Sequence, residues 1–423
     1  MPKLAMFGGR PAVPRGTPPP VWPVVTDDDN EAVLGVLRSG RFTAASAGEQ
    51  EIRALEREWA QRVGAAHCLA VANGTAALSI ALAAAGVGPG DEVIVPALSF
   101  VGTALAPVHL GAVPVFVDVD PATFTLDTAQ LATAVSGRTA AVLPVHLHGL
   151  PADMDEVLAF ARHRGLVVVE DAAQSHGVAY RGRVTGSLGD LGAFSLNVSK
   201  NLPTCGEGGL ITTGDPALAE RAGMMRQFGE RLPDRGERPY VSEVLGWNAK
   251  INAVQAAFTR TQLARLDETQ RRREQNVRRL LASVAQLPGF IVPAALPDRG
   301  HGWHILRFRV RPDAFGLTPR QAPVLREVVM RALRAEGVPV SRYQTVPLSE
   351  QPVFAGRAAH GRALDLPVTR AVLDDSFVVQ RVHLNPEARP LLDLVAEALA
   401  KVWEHRDLLA SVVGARTRDR EPA

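Results

Sequence analysis

The stretch SLNVSKNLPTCGEGGLITT, residues 195–213, holds a single lysine, Lys200, among small and polar residues. A glycine-rich turn from Gly206 to Gly209 and an apolar run follow it. The flanks read as two strands, so this amine is set for burial, and burial disfavours the ammonium form. An unprotonated lysine is a nucleophile suited to Schiff-base chemistry. Local context alone also allows an ordinary surface-loop lysine.

Two further stretches could do chemistry. In AVANGTAAL an apolar run passes through Asn73, Gly74 and Thr75 straight into a helical pattern. A helix N-terminus offers unpaired N–H groups and a positive dipole end, which suits a phosphate. The same residues also serve simply to turn and cap. In VVVEDAAQSHG, Glu170 and Asp171 stand at the C-terminal end of a buried strand, the edge where open α/β sheets bind ligands. A carboxylate withdrawn from water there needs a cation. A protonated heteroaromatic nitrogen would serve; Asp171 could equally cap the next element. Pyridoxal phosphate has a phosphate, a pyridine nitrogen and an aldehyde. It needs a phosphate cradle, a carboxylate and a lysine, and all three occur here.

The elements that must position these residues alternate along the chain. HCLAVA precedes the helical TAALSIALAAAG, DEVIVP precedes FVGTALAPVHLG, and VPVFVDV, TAAVLPVH, DMDEVLAFARHRG and LVVVED continue the rhythm. That order predicts an α/β domain with a mostly parallel, covered sheet. Further strands are expected at LGAFSLN and GGLITT. A long charged helical stretch from Asn252 to about Ser283 leaves this domain, with Arg271 to Arg273 read as a solvated face. Beyond it, GWHILRFRV, PVLREVVMRALRAEG and VPVSRYQ predict a smaller α+β domain. The expected organisation is an N-terminal arm over 1–26, a large domain over 27–265, a small domain over 266–408 and a frayed tail over 409–423.

The bulk numbers agree with a globular enzyme of two domains, or of one large domain with a smaller appendage. The chain has 423 residues, beyond the roughly 250–300 at which one core stops growing. Lys+Arg total 46 against 44 Asp+Glu, a net charge of +2, which points to neither a nucleic-acid nor a membrane partner. Two cysteines, Cys68 and Cys205, cannot build a disulfide framework or a cysteine-rich metal site, and no metal is expected. Val93 to Val117 contains no acid, lysine or arginine, yet three prolines and two glycines interrupt it. Two buried strands around a helix account for it better than a membrane span. The N-terminus has no continuous apolar core, and a cytoplasmic location is expected.

Taken as an ordered set, NGTAAL, GPGDEVIVPALSF, GAVPVFVDVDPATFTLD, PVHLHGLPADMD, VEDAAQSHG, GSLGDLGAFSL, SKNLPTCGEGG and QLARLDE resemble the DegT-type (DegT/DnrJ/StrS) sugar aminotransferases. These are fold-type I pyridoxal-phosphate enzymes, and the resemblance covers about residues 25–270. It implies that Lys200 forms the internal aldimine and shuttles a proton, and that Asp171 pairs with the pyridine nitrogen. Gln174 would bond the ring's phenolic oxygen, and Phe100 would stack on the ring. Gly74, Thr75 and Ser195 would hold the phosphate. Asn248 would reach the phosphate of a neighbouring subunit, making a homodimer with shared sites. His176 is assigned a structural hydrogen bond. Where the family commonly has Asn-Tyr-Arg-Met and then an acid, this chain has Asn248-Ala249-Lys250-Ile251 followed by Asn252-Ala253. Replacing arginine by lysine removes a two-pronged grip on a carboxylate or phosphate.

The activity implied is transfer of an amino group from glutamate or glutamine to a keto sugar or keto cyclitol, in amino-sugar or aminocyclitol (antibiotic-type) biosynthesis. One alternative is a relative of aminohydroxybenzoate synthase, a dehydratase and aromatase using the same lysine. Another is a non-catalytic regulatory protein that retains the cofactor.

Overall fold

The computed structural model describes residues 2–44, 46, 48–231, 238–356, 365–379 and 384–418. The alternation read from the sequence becomes a seven-stranded sheet. Its strands are β1 (His67–Val71), β2 (Glu92–Pro96), β3 (Val113–Val117), β4 (Thr139–Val142) and β5 (Val167–Asp171), joined by β8 (Leu191–Ser195) and β9 (Gly209–Thr213). A small hairpin, β6 (Ala179–Tyr180) and β7 (Arg183–Val184), lies between β5 and β8 in the chain. The strand order is β1-β9-β8-β5-β4-β2-β3, and β9 alone runs against the rest. The C-terminal ends of β1, β2, β5 and β8 therefore share one edge, and the stretches singled out for chemistry meet there.

Apolar strands covered on both faces build this sheet. Val93, Ile94, Val95, Val115 and Val117 are all buried. The uncharged run from Val93 to Val117 is strand, helix (Val101–Val108), strand. Among the described residues no helix is long and apolar enough to cross a membrane.

A second sheet, four-stranded and antiparallel, is ordered β10-β11-β13-β12, from β10 (Phe290–Ile291), β11 (Leu306–Val310), β12 (Val340–Ser341) and β13 (Ser376–Val379), in the stretch read as the small domain. The helices Leu266–Val284, Ala322–Ala335 and Arg389–Glu404 share its core.

The tertiary structure departs from the sequence reading in four places. The first part of the expected arm belongs to the small domain, where Leu4 and Val13 join the core. Buried Glu336 accepts the N–H groups of Ala5 and Ala12 at 2.7 and 2.9 Å and pairs with Lys401 at 2.8 Å. The expected tail from 409 is helical as far as Arg418, because Leu409 and Val413 fill the same core; residues 419–423 lie outside the described residues. The long helix breaks at Arg265 into Ala253–Ala264 and Leu266–Val284. Arg265 turns its guanidinium to Asp29, at 2.8 Å, and to Thr26, at 2.9 Å. Finally, Arg271 and Arg272 face outward, but Arg273 is buried with its charge over the ring of Trp22. A run of like charges can spend one member inward when a helix turn carries it to the core side.

Candidate active site

A hollow of about 800 Å³ opens at the shared sheet edge. Its lining includes every cofactor residue expected from the sequence: Gly74, Thr75, Phe100, Asp171, Gln174, Ser195, Lys200 and Asn248. Thr103, His109, Glu207 and Tyr343, which sequence reasoning missed, line it too.

The helix Gly74–Ala84 starts directly off β1. Asn73 is extended, and its Oδ1 accepts the N–H of Ala76 at 2.8 Å. Its carbonyl takes the N–H of Ala77 at 3.0 Å. The N–H groups of Gly74 and Thr75 precede the reach of the helix's own bonds, so they are available to a ligand. A Cβ on Gly74 would sit 2.7 Å from Cβ of Ser195, so the cradle closes only around a glycine.

Period-two alternation separates the two acids of β5. Glu170 is wholly occupied: it accepts the N–H groups of Gly186, Leu188 and Gly189 at 2.7, 2.7 and 2.8 Å and meets His146 Nε2 at 2.9 Å. Asp171 faces the hollow. Its Oδ2 accepts from Thr103 Oγ1 at 2.7 Å and its Oδ1 from the N–H of Ala173 at 3.2 Å. Burial holds its carboxyl above the usual value, against the pull of these bonds and of the Lys200 charge.

Gln174 is oriented by its neighbour. Its Oε1 accepts the N–H of His148 at 2.7 Å, which leaves the amide NH₂ to donate. His148 adopts a left-handed backbone, φ 61°, to make that bond. His176 Nε2 donates to the carbonyl of Ser195 at 2.8 Å, and the ring packs beside Trp59 and Phe194. Burial, with the Lys200 charge, lowers its pKa to about 3, so the ring is neutral. This geometry is a structural hydrogen bond.

Lys200 is half-buried in a turn after β8. Its N–H reaches the carbonyl of Asn197 at 2.8 Å, and the Asn197 Oδ1 holds the N–H of Ser199 at 2.9 Å. Ser195 Oγ accepts the N–H of Asn197 at 3.3 Å. Phe100 is 56% exposed on the wall of the hollow, a large aromatic face open to a flat ligand. Asn248 is exposed at the rim. Of the departures beside it, Ala249 is buried yet lines the hollow, whereas Lys250 turns away, its Nζ 4.2 Å from the ring centroid of Phe228.

The model of the DegT/DnrJ/EryC1/StrS aminotransferase family matches residues 23–388. The chain belongs to that family. It is 35% identical to the L-glutamine:2-deoxy-scyllo-inosose aminotransferase of Streptomyces kanamyceticus, over 97% of this chain and 99% of the relative. It is 37% identical to the dTDP-3-amino-3,4,6-trideoxy-alpha-D-glucose transaminase of Streptomyces venezuelae, over 89% of this chain and 93% of the relative. The crystal structure of 3-amino-5-hydroxybenzoic acid synthase matches with a TM-score of 0.82 and 32% identity, over 92% and 99% of the two chains.

As a DegT-family member the protein is an aminotransferase of fold-type I, and its cofactor is pyridoxal phosphate. The residues present suit that group. A helix N-terminus closed by a glycine matches a phosphate, a buried carboxylate facing the hollow matches a pyridinium, and a turn-held lysine matches an aldehyde. Thr103 was missed because a threonine inside an apolar helix carries no signal of its own. Tyr343 arrives from the small domain, beyond the reach of any local motif.

Proposed function

We propose that this aminotransferase takes its amino group from glutamine or glutamate and delivers it to a keto cyclitol or keto sugar, as in aminocyclitol or amino-sugar biosynthesis. The observation that carries the reading is the meeting of Lys200, Asp171 and the Gly74–Thr75 helix start on one hollow. The scyllo-inosose aminotransferase spans nearly the whole chain, which supports the cyclitol form.

Bound pyridoxal phosphate supplies an aldehyde that holds amines covalently and a ring that draws electrons from the adjoining carbon. Lys200 would be the covalent anchor of that group, and its Nζ would take up and return the proton at the substrate's reacting carbon. Asp171 would hold a proton on the pyridine nitrogen by presenting its negative charge there. Gln174 would donate from its NH₂ to the phenolic oxygen, and Phe100 would offer its aromatic face to the ring. The N–H groups of Gly74 and Thr75, with the Ser195 hydroxyl, would hold the phosphate. Donor and acceptor use the same hollow in turn, so the kinetics are ping-pong.

The working form is a homodimer in the cytoplasm, with Asn248 of one subunit reaching the other's phosphate. Exposed Tyr240, Val241, Leu245 and Trp247 support this, since the segment leading into Asn248 leaves four large apolar side chains open to a partner.

The test is a panel of amino donors and keto acceptors read by mass spectrometry. Release of 2-oxoglutarate from glutamate, or of the corresponding oxo acid from glutamine, with an aminated cyclitol or sugar, is expected. The likeness to 3-amino-5-hydroxybenzoic acid synthase favours the dehydratase reading as the rival. An aromatic product without donor turnover would establish that rival instead.

A further inference from the structure

Residues 21–26 form a strap between the two domains beside Lys200. On the small-domain side, Asn385 Nδ2 donates to the carbonyl of Val21 at 2.8 Å. On the large-domain side, Gln262 Nε2 and Arg265 Nη2 reach the carbonyl of Val24 at 3.1 and 3.2 Å. Between these anchors Trp22 turns inward, and its indole Nε1 donates to the main-chain carbonyl of Lys200 at 3.1 Å.

Arg273 holds the ring. Its guanidinium carbon lies 5.0 Å from the Trp22 ring centroid, its Nε donates to the carbonyl of Leu384 at 3.0 Å, and its buried Nη1 has no hydrogen-bond partner among the described residues. A desolvated cation with an unmet donor is drawn to an indole face. On the next residue, Asn201 Nδ2 donates to the carbonyl of Gly302 at 2.5 Å, just ahead of β11. The Lys200 main chain is thus tied at its own carbonyl and at its neighbour's side chain to segments that lead into the small domain.

We propose that Trp22 is a positioning residue for amino transfer: through the Lys200 carbonyl it sets where the lysine amine stands, and the strap couples that placement to the small domain. The inference rests on Lys200 carrying the cofactor. A displaced main chain displaces the amine with it, and an error of about 1 Å at a reacting group costs on the order of 10²-fold in rate. A residue that only stabilised the arm would leave that rate alone.

Trp22→Phe keeps an aromatic ring for Arg273 and removes the N–H, at the cost of a smaller ring face. The apoprotein is mixed with pyridoxal phosphate and the visible absorbance followed by stopped flow, beside kcat and KM for the donor. The band is expected to reach the parent's height about tenfold more slowly, and kcat to fall about tenfold, the worth of one hydrogen bond. Donor KM and the melting temperature of the apoprotein stay as in the parent. Arg273→Met, neutral and of similar length, slows the band in the same way, and the double variant is no slower than the worse single one. Parent-like growth and kcat in Trp22→Phe overturn the proposal. Should that variant lose thermal stability, parent-like growth in Arg273→Met overturns it. If the parent forms no band that Lys200→Ala lacks, the assignment of Lys200 falls and this inference falls with it; a parent band with parent-like variants removes this inference alone.

Discussion

The Thr103 hydroxyl donates to Oδ2 of Asp171 across 2.7 Å and in turn accepts from Ser99 Oγ at 2.8 Å. Thr103 stands three residues after Phe100, so a single helix turn delivers both an aromatic wall of the hollow and the partner of its buried acid. The bond opposes the rise in the Asp171 pKa that burial causes. Thr103→Val removes the opposition and raises that pKa further. The carboxylate is needed ionised, so the acid limb of cofactor binding moves to higher pH, and affinity at neutral pH falls about tenfold. Cofactor titrations across pH check this; unchanged curves would refute it.

Asp171→Asn tests the carboxylate itself. The neutral amide can still accept from Thr103 but cannot hold a proton on a ring nitrogen. Amino transfer falls by about 10²–10³-fold, as for a broken buried pair. The apoprotein, relieved of a buried charge, melts no lower than the parent. Steady-state kinetics and calorimetry on the same sample separate the two effects.

Gly74→Ala places a methyl 2.7 Å from Cβ of Ser195 and 3.1 Å from its Cα. Something must shift, at a cost of about 1–3 kcal/mol, and the phosphate cradle opens. The expected outcome is cofactor that dialyses away, with pyridoxal lacking the phosphate bound as before.

Buried His176 sets an acid limit on stability. Its folded pKa of about 3 lies below the ordinary value of 6.5, so the unfolded chain takes up the proton first. The neutral ring's contribution is complete above 6.5 and is lost as pH falls from there toward 3. Between pH 6.5 and 5 this loss is about 2 kcal/mol. Urea unfolding at those two pH values measures it, and His176→Asn, which keeps an N–H for Ser195, flattens the difference.

Leu245 is 91% exposed, three residues before Asn248. Leu245→Asp is expected to shift sedimentation toward the monomer and to lose activity in proportion. Full activity in a sedimenting monomer would count against the shared site.

Much of the catalytic side was legible because it is written in short backbone motifs. A strand running into Asn-Gly-Thr, two acids ending an apolar strand and a lysine before a glycine turn are each local, and the parallel sheet gathers their ends along one edge by topology. The burial of Arg273 was not legible. Its neighbours Arg271 and Arg272 look the same in sequence, and only the helix phase and the position of Trp22 distinguish them. The helix to Arg418 and the role of Leu4 were hidden for a related reason: isolated apolar residues in a terminal segment acquire meaning only when a distant core has room for them.

By itself, the amino-acid sequence determined the fold class and, through an ordered set of local motifs, the cofactor, because strand periodicity, helix starts and glycine turns act over a few residues. Only the tertiary structure decided that Glu170, the neighbour of Asp171, is taken up by three backbone N–H groups and His146. It alone decided that Thr103 steadies Asp171, and that Trp22, 178 residues before Lys200, bears on its carbonyl. Those choices depend on which side chains burial brings together and which hydrogen bonds they must then satisfy, and contacts across such distances leave no pattern in the chain.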